Sequence, residues 1–196
     1  MSTLVQPFEI HRVTIAEYHQ MVASGGYHED THVELIDGLV VDMSPRSPQH
    51  EAAIRWLIRW MFEQLDQTRY DLMITGSMTI GSSEPEPDVA ILPRPASARE
   101  HPCRAVPCRA VLVIEVAVSS HDRDLRTKPK IYAGAVDEYW VVDLEHQQLV
   151  VHRDGAEGAY RDVFSVLRPG ELTAAALELG PLSTEPLFSI ALGERE

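Results

Sequence analysis

The chain has 196 residues, of which 44% are apolar, so it is long and apolar enough to bury a core of its own. Its 17 basic and 30 acidic residues give a net charge of −13, which argues against a protein that coats nucleic acid non-specifically. No run approaches the ~18 apolar residues of a membrane helix, and the first residues do not have the pattern of a signal peptide. We therefore expect a cytoplasmic protein with one domain over residues 1–196.

The charge is distributed unevenly along the chain. Residues 1–90 carry 5 basic and 14 acidic side chains, and residues 143–196 carry 4 and 10. Residues 91–142 carry 8 basic and 6 acidic side chains, so the middle of the chain is not acidic. A polyanion could bind there if the fold gathers these basic groups on one face.

The first third of the chain predicts a short helix, a hairpin and a long helix. Thr14 and Glu17 form a capping box at the start of a helix that a Gly–Gly pair ends. Residues 32–43 alternate around an Asp–Gly turn, which is typical of a tight β-hairpin. Ser47 and Pro48 suit the N-cap and first residue of an amphipathic helix of about five turns.

The remainder of the chain is richer in strands, which we predict over residues 72–80, 88–92, 110–118, 138–142, 148–152 and 160–166. A helical piece ends near residue 135, and the tail shows no clear periodicity. The Pro- and Arg-rich residues 93–110 predict a loop with Cys103 and Cys108, which are too few for a disulfide framework or a zinc site. This order of elements predicts a mixed α/β fold, a sheet flanked by helices.

Two acidic residues stand at apolar strands. Glu115 lies within the predicted strand at 110–118, where an unpaired carboxylate is costly, so it should bind a cation, accept hydrogen bonds or carry a proton. A structural ion pair at the open end of the strand is an equally good interpretation. Two prolines place Asp88 at the start of an apolar strand, although an Asp after Pro more often belongs to a turn.

The two lysines of the chain, Lys128 and Lys130, lie close together downstream of Glu115. A lysine ammonium is compact and its pKa shifts readily, but a solvated helix face is the common alternative. Pro129 would break a helix begun at residue 120. We therefore predict that Thr127 is the N-cap and that Lys128 opens the helix, where the macrodipole would lower the pKa of Lys128 slightly.

Glu34 and His50 are weaker candidates when each is taken alone. Glu34 enters the predicted hairpin, where an exposed strand carboxylate is the usual interpretation. His50 lies in the first turn of the long helix, where a surface or capping histidine is more common.

Together, these acidic residues and the following lysine resemble the PD-(D/E)XK nuclease superfamily, and most closely the Uma family of bacterial restriction endonucleases. The resemblance spans about residues 10–152 and rests on six stretches that occur in the family's order. They are Val33–Gly38, Met43–His50, Pro85–Ala90, Val113–Val116, Asp124–Tyr132 and Glu138–Asp143.

The resemblance implies a restriction-endonuclease-like core over about residues 10–152, with an irregular C-terminal extension over 153–196. It implies an endodeoxyribonuclease that hydrolyses DNA phosphodiester bonds with Mg²⁺, or alternatively with Mn²⁺, and without a small-molecule cofactor. DNA is the expected partner, and a homodimer is expected because a nuclease that cuts both strands usually works as a two-fold dimer.

The site residues that the resemblance implies are Glu34, Asp88, Glu115 and Lys128. Asp88 and Glu115 would bind the metal, which prefers oxygen ligands, and Glu34 would bind it directly or through water. Lys128 would orient the attacking water or stabilise the charge of the transition state.

The chain departs from the superfamily pattern around the lysine. The superfamily lysine follows the acidic residue by two, where this chain has Ala117, and the family typically places the lysine on the next helix. Lys128 matches that position, Lys130 matches it less well, and Pro129 is unexpected there. The alternative function is therefore a catalytically inactive protein with a nuclease fold that binds DNA, or that acts as a regulatory or oligomeric protein.

Overall fold

A computed structural model describes residues 10–27, 31–94, 109–118, 120, 122–156 and 158–194. Most of the predicted loop at 93–110, with Cys103 and Cys108, lies outside these ranges. Among the helices in the described ranges, none has the length and apolar character needed to span a bilayer.

The helices are α1 (Ile15–Ala23), α2 (Pro48–Gln64), α3 (Lys128–Tyr132) and α4 (Thr184–Leu192). A π-helical turn, Arg123–Thr127, leads into α3. The strands are β1 (Val33–Ile36), β2 (Leu39–Asp42), β3 (Tyr70–Ile74), β4 (Val89–Pro93), β5 (Ala110–Ala117), β6 (Val136–Asp143), β7 (Gln148–Ala156), β8 (Ala159–Leu167), β9 (Glu171–Leu172) and β10 (Leu182–Ser183).

Helix α1 and the β1–β2 hairpin form as their local sequence predicts. The capping box of α1 is present, with Thr14 and Glu17 each accepting the main-chain N–H of the other, at 3.2 and 2.8 Å. Asp37 and Gly38 have φ angles of 48° and 73°, which a tight two-residue hairpin turn requires. The hairpin is tied to the rest of the chain by main-chain bonds between Leu35 and residue 84, and this contact fixes the position of β1.

Helix α2 begins and packs as its sequence predicts. Pro48 is its first residue, and the Ser47 hydroxyl caps it by accepting the N–H of the third residue at 3.2 Å. Its buried residues are Ala53, Ile54, Leu57 and Met61. Phe62, next to Met61 in the sequence, is 61% exposed and lies outside the core.

The main sheet contains six strands in the order β3-β4-β5-β6-β7-β8. All neighbouring pairs are antiparallel except β5 and β6, which are parallel. A parallel pair needs a crossover connection, and here the π-helical turn and α3 provide it. Strand β3 ends at Ile74, earlier than the predicted residue 80, because Thr75 has a φ of 49° that turns the chain out of the sheet.

Helices cover both faces of the main sheet, which confirms the predicted mixed sheet flanked by helices. On one face, Leu57 of α2 and Phe188 of α4 share a buried core with Trp140 of β6. On the other face, Tyr132 of α3 packs with Tyr139 and other buried residues of the sheet. The sheet is thus buried on both sides near β4 and β5, where the candidate site lies.

The C-terminal part is more regular than the predicted extension over 153–196. Strands β7 and β8 continue the sheet to Leu167, and α4 packs against α2. The buried residues of α4 include Leu187, Phe188 and Ala191. With nine residues, α4 is too short to give a strong periodic signal.

The entry into α3 differs from the prediction in one respect. Helix α3 begins at Lys128 with Pro129 in its first turn, as predicted, but Thr127 is not an N-cap. Thr127 has helical dihedral angles and makes no capping hydrogen bond, because the preceding π-helical turn runs directly into α3. In that turn the Lys128 N–H donates to the carbonyl of Arg123, so the start of α3 is not a free helix terminus.

Candidate active site

An open cavity of about 150 Å³ lies where the β1–β2 hairpin and the N-terminus of α2 meet β4, β5 and the π-helical turn. The polar and charged side chains that line it belong to Glu34, Ser44, Arg46, Ser47, His50, Glu86, Asp88, Glu115, Ser120, Arg123, Asp124 and Lys128. The four site residues predicted from the sequence are all in this set. The fold therefore brings together residues from four separate parts of the chain.

Asp88 immediately precedes β4, and Glu115 lies in the neighbouring strand β5. Val89 of β4 pairs with Ile114 of β5 in antiparallel register, and the same register continued by one residue places Asp88 opposite Glu115. The Cβ atoms of such directly opposed residues are about 4.5–5.5 Å apart. The N–H of Val116 donates to Asp88 Oδ2 at 2.9 Å, which holds the carboxylate against β5.

Lys128 lies among three carboxylates. Its Nζ donates to Glu115 Oε1 at 2.8 Å. The same Nζ lies 3.3 Å from Glu34 Oε2 and 3.5 Å from Asp124 Oδ1. Lys130 is exposed on the outside of α3, so of the two lysines the structure brings Lys128 to the carboxylates.

The pKa values of this cluster reflect its burial and its crowded charges. Burial alone would lower the pKa of the Lys128 ammonium, but the carboxylates of Glu115, Asp124 and Glu34 reverse the effect and raise it. The predicted slight lowering of the Lys128 pKa is therefore wrong, because three nearby carboxylates outweigh the dipole of a five-residue helix. Burial raises the pKa of Glu115 well above its ordinary value, and repulsion from Asp124 and Asp88 adds to this rise.

Glu34 joins the hairpin to the π-helical turn. Its Oε1 accepts a hydrogen bond from Arg123 Nη1 at 3.1 Å, and its Oε2 accepts the N–H of Glu86 at 3.3 Å. The side chain of Glu34 is 1% exposed. The interpretation of Glu34 as an exposed strand carboxylate, which the sequence alone favoured, is therefore wrong. Docking of the hairpin on the chain near residue 84 buries Glu34 beside Lys128 and Arg123.

His50, a weaker candidate in the sequence, is a member of the site. Its Nε2 lies 3.0 Å from Asp88 Oδ2, and its side chain is only 13% exposed. The interpretation of His50 as a surface or capping residue, which the sequence favoured, is therefore wrong. No spacing rule could have found this contact, because the two residues are 38 positions apart and meet only through the packing of α2 on the sheet.

Asp124 is a second member that the sequence analysis did not select. It precedes Lys128 by four residues, the spacing that brings two side chains together on a helix, and this spacing was the available signal. Burial raises the pKa of Asp124, with Lys128 opposing the rise. The Ser120 hydroxyl donates to its Oδ2, and the Tyr139 hydroxyl donates to its main-chain carbonyl at 2.8 Å.

The donor set fits a hard divalent cation. Asp88 Oδ1 and Glu115 Oε2 make no hydrogen bond or ion pair with the part of the chain that the structure describes. Mg²⁺ usually takes one or two carboxylates and keeps several waters, so two such oxygens match its needs. Within the described ranges no group of three or more His, Cys, Asp or Glu side chains is arranged to hold a metal ion, so water would complete the coordination.

The charge balance of the cavity also suits a cation. The acidic side chains that line it are Glu34, Glu86, Asp88, Glu115 and Asp124, and the basic ones are Arg46, Arg123 and Lys128. Acidic groups are therefore in excess over basic ones, and a divalent ion would offset the excess.

Comparisons with known proteins identify a family and a similar fold. A family model described as "Uma2: Putative restriction endonuclease" matches residues 15–184. The structure is similar to that of "a putative nuclease belonging to DUF820 from Anabaena variabilis ATCC 29413", with a TM-score of 0.72 and 16% sequence identity. That similarity covers 91% of this chain and 99% of the other, and at this identity it shows a shared fold. Among curated proteins there is no match.

Proposed function

The chain belongs to the Uma2 family, described as "Putative restriction endonuclease", and from this premise we propose that it is a metal-dependent endonuclease acting on DNA. The observation that supports this proposal most strongly is the grouping of Asp88, Glu115 and Lys128 in one open cavity. Two acidic groups from opposed strand positions and one buried ammonium are suited to hydrolysis of a phosphodiester bond.

In this proposal, the carboxylates of Asp88 and Glu115 would hold Mg²⁺ or Mn²⁺. A bound ion of this kind lowers the pKa of a coordinated water and neutralises charge on the reacting phosphate. Lys128 keeps its proton, because its pKa is raised, and contributes a fixed positive charge beside the phosphate or orients the attacking water. Glu34 holds Lys128 and Arg123 in place, and it could also contact the ion directly or through water.

Arg123 is placed to contact a DNA phosphate. Its guanidinium lines the cavity, its side chain is 29% exposed, and its Nη1 donates a hydrogen bond to Glu34. An arginine has five N–H donors, so several remain for phosphate oxygens. Local cations at the cavity can thus attract DNA although the net charge of the whole chain is −13.

We also propose that the protein works as a homodimer on duplex DNA. One cavity can cut one strand at a time, and a closed two-fold dimer presents two equivalent cavities to the two strands. A dimer would convert supercoiled plasmid to linear as well as nicked product, and its mass in solution would be twice that of the chain.

The test of the proposed function is plasmid cleavage by the purified full chain with Mg²⁺ or Mn²⁺. We expect the unaltered protein to nick supercoiled plasmid, and we expect Asp88→Asn and Glu115→Gln to abolish nicking, because each change removes a carboxylate ligand without changing side-chain size. Asp122→Asn is the matched control, since Asp122 is 86% exposed, pairs with Arg126 and does not line the cavity.

Three outcomes separate the possible functions. Nicking that persists in both cavity variants would point to a contaminating nuclease. DNA binding with a steep salt dependence but without metal-stimulated cleavage would favour the inactive DNA-binding alternative. Loss of nicking in the Asp122→Asn control would show that the assay reports folding and not the site.

A further inference from the structure

His50 occupies a position from which it can set the orientation of Asp88. It is the third residue of α2, and the Ser47 hydroxyl holds its main-chain N–H at 3.2 Å. This cap fixes the first turn of the helix and directs the imidazole into the cavity wall. There Nε2 lies 3.0 Å from Asp88 Oδ2, in a contact whose two side chains are 13% and 9% exposed.

The contacts of the imidazole define its tautomer. An ionised carboxylate only accepts hydrogen bonds, so the nitrogen that faces Asp88 has to carry the hydrogen. The other ring nitrogen, Nδ1, is buried and has no partner among the described residues. A hydrogen on Nδ1 would be a buried donor without an acceptor, which is unfavourable. A ring with its hydrogen on Nε2 and none on Nδ1 satisfies both constraints.

We propose that His50 is a positioning residue for the metal-binding carboxylate of Asp88, an inference that rests on the proposed function. Asp88 Oδ2 accepts hydrogen bonds from His50 Nε2 and from the Val116 N–H at 2.9 Å. Two donors on one oxygen restrain rotation of the carboxylate, and the other oxygen, Oδ1, is then presented to the cation. Residues that hold a metal ligand in this way typically contribute 10- to 100-fold to metal affinity.

The same geometry argues against a direct chemical role for His50. Its Nδ1 is buried away from the cavity water, so it cannot take a proton from an attacking water molecule. Its Nε2 is already engaged with Asp88, so it is not available as a ligand. His50 therefore acts through Asp88.

Two amide substitutions of similar chemistry test this proposal. In His50→Gln the amide nitrogen can reach about where Nε2 lies, whereas in His50→Asn it falls near Nδ1 and short of Asp88. We expect Mn²⁺ affinity, measured by calorimetry on the full chain, to fall about 10- to 100-fold in His50→Asn and to stay close to the unaltered value in His50→Gln. His19→Asn is the control, because it removes a histidine contact to a carboxylate, Glu84 at 2.6 Å, that is not part of the cavity lining.

A second readout does not depend on the amide variants or on metal. Nitrogen NMR of the unaltered protein reports the tautomer, and we expect the hydrogen of His50 on Nε2. Hydrogen on Nδ1 with bare Nε2, or equal Mn²⁺ affinity in the two amide variants, would overturn the positioning role while leaving the nuclease function intact. If the unaltered protein binds no Mn²⁺, the metal-dependent function fails first and the positioning role fails with it.

Discussion

Replacing Lys128 by methionine removes a buried cation while keeping a side chain of similar length. Glu34 retains Arg123 as a partner, but Glu115 and Asp124 lose the ammonium that lies 2.8 and 3.5 Å from them. All three side chains in these two contacts are at most 5% exposed, so solvent does not compensate for the loss. Removing one partner of such a buried pair lowers the free energy of unfolding by about 3–5 kcal/mol. Protonation of one of the carboxylates left behind keeps this loss from growing further.

Urea unfolding of the metal-free protein measures this loss. In thermal unfolding of a chain of this size, a loss of about 3–5 kcal/mol in the free energy of unfolding corresponds to a fall of roughly 6–20 °C in Tm. The control is Lys130→Met, which removes an exposed lysine two positions away and should change the free energy of unfolding by less than about 0.5 kcal/mol.

A loss of less than about 1 kcal/mol in Lys128→Met, the range of an exposed ion pair, would contradict a buried position of the ammonium. An equal loss of stability in both lysine variants would contradict it as well. Either result would mean that the ammonium is not held among buried carboxylates.

The remaining predictions concern DNA contact and acid stability. Arg123→Ala should weaken DNA binding and reduce the slope of log K against log salt by about one, while Arg126→Ala, an exposed arginine nearby, should leave the slope unchanged in a fluorescence titration. Hydrogen bonds from Arg168 lower the pKa of Glu185 and of Glu194. These carboxylates therefore stabilise the fold above their unfolded pKa, about 4.3, and lose that contribution as the pH falls through their lower folded pKa. In urea unfolding across this pH range, Arg168→Met should show a smaller acid-induced loss than the unaltered protein, and an equal loss would contradict the assignment.

The features that could be predicted from the sequence depend on neighbours along the chain. The turn at Asp37 and Gly38, and the Ser47 cap of α2, each involve residues within a few positions, so their signals are complete in a short window. Glu115 was recognisable because a carboxylate in an apolar strand needs a partner whatever the rest of the fold.

The features that were missed depend on contacts between distant segments. His50 meets Asp88 only after α2 packs on the sheet, and its surroundings in the sequence resemble those of an ordinary helix start. The burial of Glu34 follows from docking of the hairpin near residue 84, which no local pattern encodes. Helix α4 had start and stop signals in Ser183 and Gly193, but its nine residues gave too weak a periodicity to be selected.

The single parallel pair in the sheet explains how a lysine thirteen residues beyond Glu115 can still reach it. Because β5 and β6 run in the same direction, the chain between them must travel back over the sheet, and α3 on that return path delivers its ammonium to the end of β5. The side chain enters from the covering layer and not from two places along the strand, where Ala117 stands. The path of the crossover, and not the separation of Lys128 from Glu115 along the sequence, therefore sets where the ammonium lies.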